Sequence, residues 1–406
     1  MNTSTFGPSG MAGATQGYGA PAGGQFAYPY PVDRLIRKES ALGAIREIAP
    51  PEDHIGLQLF PFFEVPHDDF FFDYIKGDAT GLAPARAQDA ESELAQKDFF
   101  ISGQGRGSII DWAIKDHYDP SDVNNFRELE NVAKQIQEGG SPLPGSLQTT
   151  LNELPFKLAR DAAQRRRRLD NRIEHIIMTS LVTNTYTYND GKVSFATPWG
   201  RPADQTDQAP ASGTYGGTTH DPIGDWVEVD EFMYERHGVN MKRAILGRKV
   251  ANRFYASQFW GARTGLITQP GSTPVDPRYL MEGWGPVGAL NAVAEATGIA
   301  PTIYDSVYRT RAIGGTTFVN TRYVPDDVII FLPSEEDIRD FDSSPLGLGK
   351  VCTSPHIEGN GGAGFYEWEM STKDPWSYSV GTGIKMYPIF PHMELTYTMK
   401  IDFDAP

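Results

Sequence analysis

Apolar residues recur at threes and fours through Leu154, Leu158, Ala162, Leu169, Ile173, Ile176 and Ser180, while Arg160, Arg165, Arg167, Arg168, Asp170 and Arg172 largely occupy the other sides. With Pro155 tolerated near the first turn, the spacing predicts one helix over about 150–184, roughly 40–45 Å long at 1.5 Å per residue. Period two then takes over in "TYTYNDGKVSFATP", where Asn-Asp-Gly suits a hairpin turn. Upstream, "HIGLQLFPFFEV" and "DDFFFDYIKG" read as extended segments on one side of an Ala-rich excursion that returns through "FFISGQG", so residues 54–112 read as a projecting hairpin. Its rings, Phe60, Phe62, Phe63, Phe70, Phe71 and Phe72, are too many for a free ribbon; a partner surface and burial in the same chain are the two destinations open to them.

Downstream, "IGDWVEVDEFMYERHG", "RKVANRFYASQFW" and "PVGALNAVAEATGI" read as helices, and "VNMKRAILG", "PTIYDSVYR" and "TTFVNTRYVPDDVIIFLPS" as strands. They group into an α+β domain over 240–364, and the strands of the tail, 365–406, are expected to join the sheet begun at 184–197. Before the hairpin, residues 1–30 are Gly, Ala, Pro, Ser and Tyr-rich without a charge, and 31–53 hold one short helix stopped by Pro50 and Pro51, an arm suited to lying on something else.

Composition narrows the functions. A formal charge of −16 in 406 residues argues against general coating of nucleic acid, which calls for a basic domain or stripe. A single cysteine, Cys352, excludes an internal disulfide framework and reads as a small buried hydrophobe. No apolar run approaches a membrane span and no basic-then-apolar start suggests export.

Candidate chemistry is thin. "RIEHI" lacks the second histidine of a zinc-protease helix, and Cys352 with His356 makes only two potential ligands. "GQGRG" and "GTGIK" lack the Gly-Lys-Ser/Thr ending of a phosphate loop. Asp326 and Asp327 before an apolar strand keep a carboxylate-dependent hydrolase open as an alternative, with no distant partner carboxylate identified. The run Arg165, Arg166, Arg167 and Arg168 points in four directions at 100° steps, which favours pairing with carboxylates over reading DNA.

Three stretches carry a resemblance. "RDAAQRRRRLDNRIEHIIMTSLVTNTYTYNDGKVSF", "RYVPDDVIIFLP" and "IKMYPIFPHMELTYTMKIDF", in this order, resemble the arginine-rich spine helix with its hairpin, the late Pro-Asp strand and the closing strands of the lambda-type major capsid protein E family of tailed bacteriophages, which has the HK97-like fold. The resemblance implies an N-arm over 31–53, an extended loop over 54–112, a peripheral domain over 113–239 with spine helix 150–184, an axial domain over 240–364 and return strands over 365–406. It implies a virion structural protein rather than an enzyme, without cofactor or metal, assembled in the host cytoplasm into hexamers and pentamers around double-stranded DNA contacted non-specifically. The implied partners are a separate scaffolding protein, a portal protein and a cement or decoration protein, with no membrane. The candidate subunit-interface residues are then the six phenylalanines, Arg165 to Arg168 and Glu174. Lys76 and Lys97 lie in the implied loop, and Gly77, Gly81, Gly103, Gly105 and Gly107 are its permissive points. A tail or decoration protein stays open as a further alternative.

Overall fold

The computed structural model divides the chain into two units, 1–37 and 38–406. It describes residues 45–76, 101–118, parts of 128–139, 145–255, 285–311, 318–341, 346–373 and 376–402, apart from isolated positions, so the first unit lies wholly outside the described residues. The uncharged segment 1–30, most of the implied N-arm, and the loop residues Gly77, Gly81 and Lys97 also lie outside them.

Helix α2, Gly145–Thr183, is the longest of the described elements, 39 residues. It starts before the expected position, so Pro155 lies inside it rather than in its first turn, and Leu151 loses the backbone donor it would otherwise have. Its buried stripe runs through Leu169, Ile173, Ile176, Ile177, Ser180 and Leu181. The helix ends because Asn184 turns left-handed at φ 57° and donates its N–H to the Ser180 carbonyl. Arg201, buried, closes that end by donating to the Leu181 carbonyl at 2.5 Å and to the hydroxyls of Thr396 and Thr398. Burial among neutral acceptors pulls its pKa down to about 10.

Two sheets flank this helix. In the five-stranded sheet, β14 (Trp376–Ile389) pairs along one edge with β13 (Phe365–Lys373) and then β12 (Lys350–Thr353), and along the other with β4 (Ile110–Tyr118); β1 (Phe62–Glu64) pairs in parallel with β12. The four-stranded sheet runs β15 (Tyr397–Lys400), β11 (Val328–Pro333), β7 (Met241–Leu246) and β8 (Ala300–Ile303), with only the last pair parallel. The tail therefore joins these two sheets, whereas β5 (Thr185–Asn189) and β6 (Ser194–Pro198) form a two-stranded sheet of their own. Side chains rather than a ladder link that hairpin to the tail: Phe195 lies 5.9 Å from Tyr387, whose hydroxyl donates to Thr197 at 2.9 Å. The pairing also crosses the implied 364 boundary, since β12 belongs to the first sheet and β15 to the second.

Strand β11 is buried along its length, and period two divides it between two cores. Val328, Ile330 and Leu332 enter the core around α2, with Ile173, Ile176 and Tyr304; Ile329 and Phe331 enter a second core with Trp226, Val229 and Met233. Beside it, Ile245 of β7 faces the first core, and Ala244 and Leu246 the second. Helix α3 (Pro222–His237) covers the second core; Asp221 caps its first turn, accepting from the Ile223 and Gly224 N–H groups, and Gly238 at φ 70° ends it. Helices α4 (Arg248–Tyr255) and α5 (Gly285–Thr297) add Phe254, Leu290 and Val293.

The segment read as one extended run at 54–65 is broken by α1, Gly56–Leu59, before β1 begins. A third, small core of Val65, Ile109, Leu346, Cys352 and Ile389 lies beyond it, with Phe63 and Phe70 against it. Burial pushes the Cys352 thiol up to about 12.

Candidate functional site

The four arginines divide two and two. Arg165 and Arg166 are buried; Arg167 and Arg168 are exposed. Arg165 donates to Asp116 at 2.8 Å, to the Thr382 hydroxyl at 2.9 Å and to Glu367 at 3.2 Å, tying α2 to both sides of β14. Burial works against its charge, but Asp116, Tyr118 and Glu367 outweigh it and the pKa rises. The Arg166 Nε–H is shared between the two carboxylate oxygens of Asp170 one turn on, at 3.0 and 3.1 Å, while the side chain also donates to the Ile45 carbonyl and lies 3.3 Å over the Phe365 ring. Pairing with carboxylates is thus the observed fate of the two buried arginines.

Glu174, also buried, faces the amino end of α1. Its carboxylate accepts from the N–H groups of Ile55 and Gly56, the shortest at 2.9 Å, and from the Tyr304 hydroxyl at 2.6 Å. A Cβ on Gly56 would run into Glu174 Oε2, so glycine is required for this approach. Burial raises the Glu174 pKa to about 7 against the pull of those donors.

The phenylalanines scatter. Phe60 packs in the first core, edge-on to Phe390 at 5.0 Å. Phe62 is exposed beside Phe365, and Phe63 is half-buried in the third core. Phe70 and Phe71 open strand β2 (Asp69–Lys76), which pairs with β3 (Ile101–Ser108) over eight positions, a ribbon about 25 Å long. Phe70 anchors its base in the third core, where Gly107 leaves room; Phe71, on the opposite face, is 65% exposed. Phe72 and Lys76 lie on β2, their side chains outside the described residues.

A second such ribbon joins β9 (Val307–Arg311) to β10 (Phe318–Arg322), with Val307, Phe318 and Val319 exposed. Among the described residues, neither ribbon pairs with another strand.

Asp326 is bound to Arg322, which also reaches Asp305 at 3.1 Å. Asp326 and Asp327 share an open cavity of about 620 Å³ with Asp207, Asp402, Lys249 and Lys400, cations interleaved among the carboxylates. His356 stacks on Tyr366 at 3.8 Å, and Cys352 is buried in the small third core. Among the described residues no group of three or more His, Cys, Asp or Glu could hold a metal ion, and no helix is long and apolar enough to cross a membrane.

No protein-family model matches the sequence and no curated protein matches it. Among solved structures the chain resembles a phage-related protein from Bordetella bronchiseptica, at 16% identity and a TM-score of 0.49, covering 91% of this chain and 97% of that one. It also resembles a putative prophage capsid protein from Escherichia coli, at 12% identity and a TM-score of 0.49, covering 90% and 97%. A virus-like particle protein from Pyrococcus furiosus follows at 9% identity and a TM-score of 0.40, covering 89% and 97%. Likenesses at this level assign no function to this chain by themselves.

Proposed function

We propose that the chain is a major capsid protein, many copies of which close into the icosahedral head of a tailed bacteriophage around double-stranded DNA. One observation carries the reading: the ribbon of β2 and β3 is anchored at its base by Phe70, pairs with no other strand among the described residues and presents Phe71 outward. A two-stranded ribbon is marginal in water, and a second copy of the chain is the partner that would cover it. The sequence resemblance adds the roles of N-arm, extended loop, peripheral and axial domains, and the assembly into hexamers and pentamers. Arg167, Arg168, Phe62 and Phe71 remain the candidate interface residues, because they stay exposed on the single chain.

Scaffolding, portal and cement proteins are the proposed partners, and the virion, assembled in the host cytoplasm, the proposed location. With 52 acidic against 36 basic side chains, packaged DNA would be held loosely and without base reading. The test is to concentrate the purified chain with a crowding polymer, measure its mass distribution and image it by negative-stain electron microscopy. Closed polyhedral shells or capsomer-sized rings are expected; a monodisperse monomer at every concentration would overturn the reading.

A further inference from the structure

The β9–β10 ribbon has a face with cations and no carboxylate. Its register sets Val307 opposite Arg322, Arg309 opposite Asn320 and Arg311 opposite Phe318, placing these six positions on one side. Phe318 is 60% exposed, and Arg309 is exposed with its Nε–H donated to Asn320 at 3.0 Å. Arg322 is engaged by Asp305 and Asp326, so Arg309 is the described cation that this face turns outward. The opposite face is rooted: Tyr308 lies 4.8 Å from His175 and 5.0 Å from Tyr323, against the first core.

Helix α3 presents the complement. Val227, Glu228, Glu231, Tyr234 and Glu235 are exposed along one side, an apolar pair among three carboxylates, with Tyr234 58% exposed. The other charges of the helix are engaged elsewhere: Asp225 holds Ser212, Asp230 accepts from the Met241 N–H at 2.5 Å, and Arg236 binds Asp204. From Val227 to Glu235 this side measures about 12 Å, and Val307 to Arg311 about 13 Å.

The ribbon is rooted on the first core and α3 covers the second, and β11 separates them. The two faces therefore lie on opposite sides of the four-stranded sheet, where a chain cannot bring its own together.

We propose that the β9–β10 ribbon of one copy docks on the outward side of α3 of a second copy, Val307 and Phe318 against Val227 and Tyr234, with Arg309 facing Glu231. The contact is head-to-tail, so each copy uses both faces, and repetition closes a ring or extends a filament. This rests on the assembly reading above and names the surfaces it uses.

Charge reversal tests it, with circular dichroism and melting checks that the exposed substitutions leave the fold intact. R309E and E231R should each reduce assembled mass by about tenfold or more, and R309E/E231R should recover most of it, as should an equimolar mixture of the two single variants. The double variant R309C/E231C supplies an independent readout: under oxidation it should give a ladder of cross-linked copies, since the native Cys352 is buried. Single reversals that assemble like the wild type, or that lose only co-purifying nucleic acid, would overturn the docking while leaving assembly standing. So would a double reversal as defective as its parents, or a cysteine pair without a ladder. A wild-type chain that never assembles would overturn both.

Discussion

Glu174 and His175 are neighbours on α2 whose titrations pull stability in opposite directions. Between 4.5 and about 7 the folded chain holds a proton on Glu174 that the unfolded chain has released, so this group's contribution falls as pH rises, by about 3 kcal/mol in all. Burial lowers His175 from 6.5 to about 4, with Arg172 adding to the effect, so its contribution falls instead as pH drops through that range. Glu174→Gln removes only the first. Its melting temperature relative to the wild type should climb from pH 4.5 to pH 7; a gap that does not change with pH would sink this account. Sequence pattern placed Glu174 on the helix but not its ligands. Gly56 and Tyr304 lie 118 and 130 positions away, and no local spacing announces such a meeting. Arg201, between Gly200 and Pro202, carried no periodic signal either.

At the scale of elements, the long helix was legible because its apolar repeat follows a helical period over most of its length, and the hairpin after it because the period changes where Asn-Asp-Gly stands. Which arginine went inward was not legible: four consecutive positions differ by 100° each, and only the partners Asp116, Glu367 and Asp170 decide. Removing Arg165 strands Glu367 in the interior. Arg165→Ala should therefore cost about 3–5 kcal/mol in urea denaturation, against about 0.5 kcal/mol or less for Arg168→Ala; equal costs would mean the buried pairing contributes little. At the ribbon base, a Cβ on Gly107 would sit 2.5 Å from Ile389 and 2.6 Å from Phe70. Gly107→Val should unseat the ribbon, leaving circular dichroism near native while assembled mass drops several-fold in sedimentation.

For the whole molecule, two cores share β11, which ought to make them unfold together. Ile330→Ala opens a void on one side of the strand and Phe331→Ala on the other, each at a cost of about 2–5 kcal/mol. Both should lower a single denaturation midpoint, followed by fluorescence and circular dichroism alike. Two separated transitions in either variant would show that the cores are independent. The α+β class and most strands were readable from pattern; the sheet each strand joined was not, because β12 pairs with β1 more than 280 positions away and with β14 more than 30 away, and β15 with β11 more than 60 away.

That shared strand also sets what the gene can tolerate. Adding or losing one codon within Val328–Pro333 would exchange the side chains delivered to the two interiors, sending Phe331 toward α2 and Ile330 toward α3. A change of two codons would keep the sides in phase and only shift the pairing with β7 and β15. Length variation in this stretch should survive selection in even steps alone.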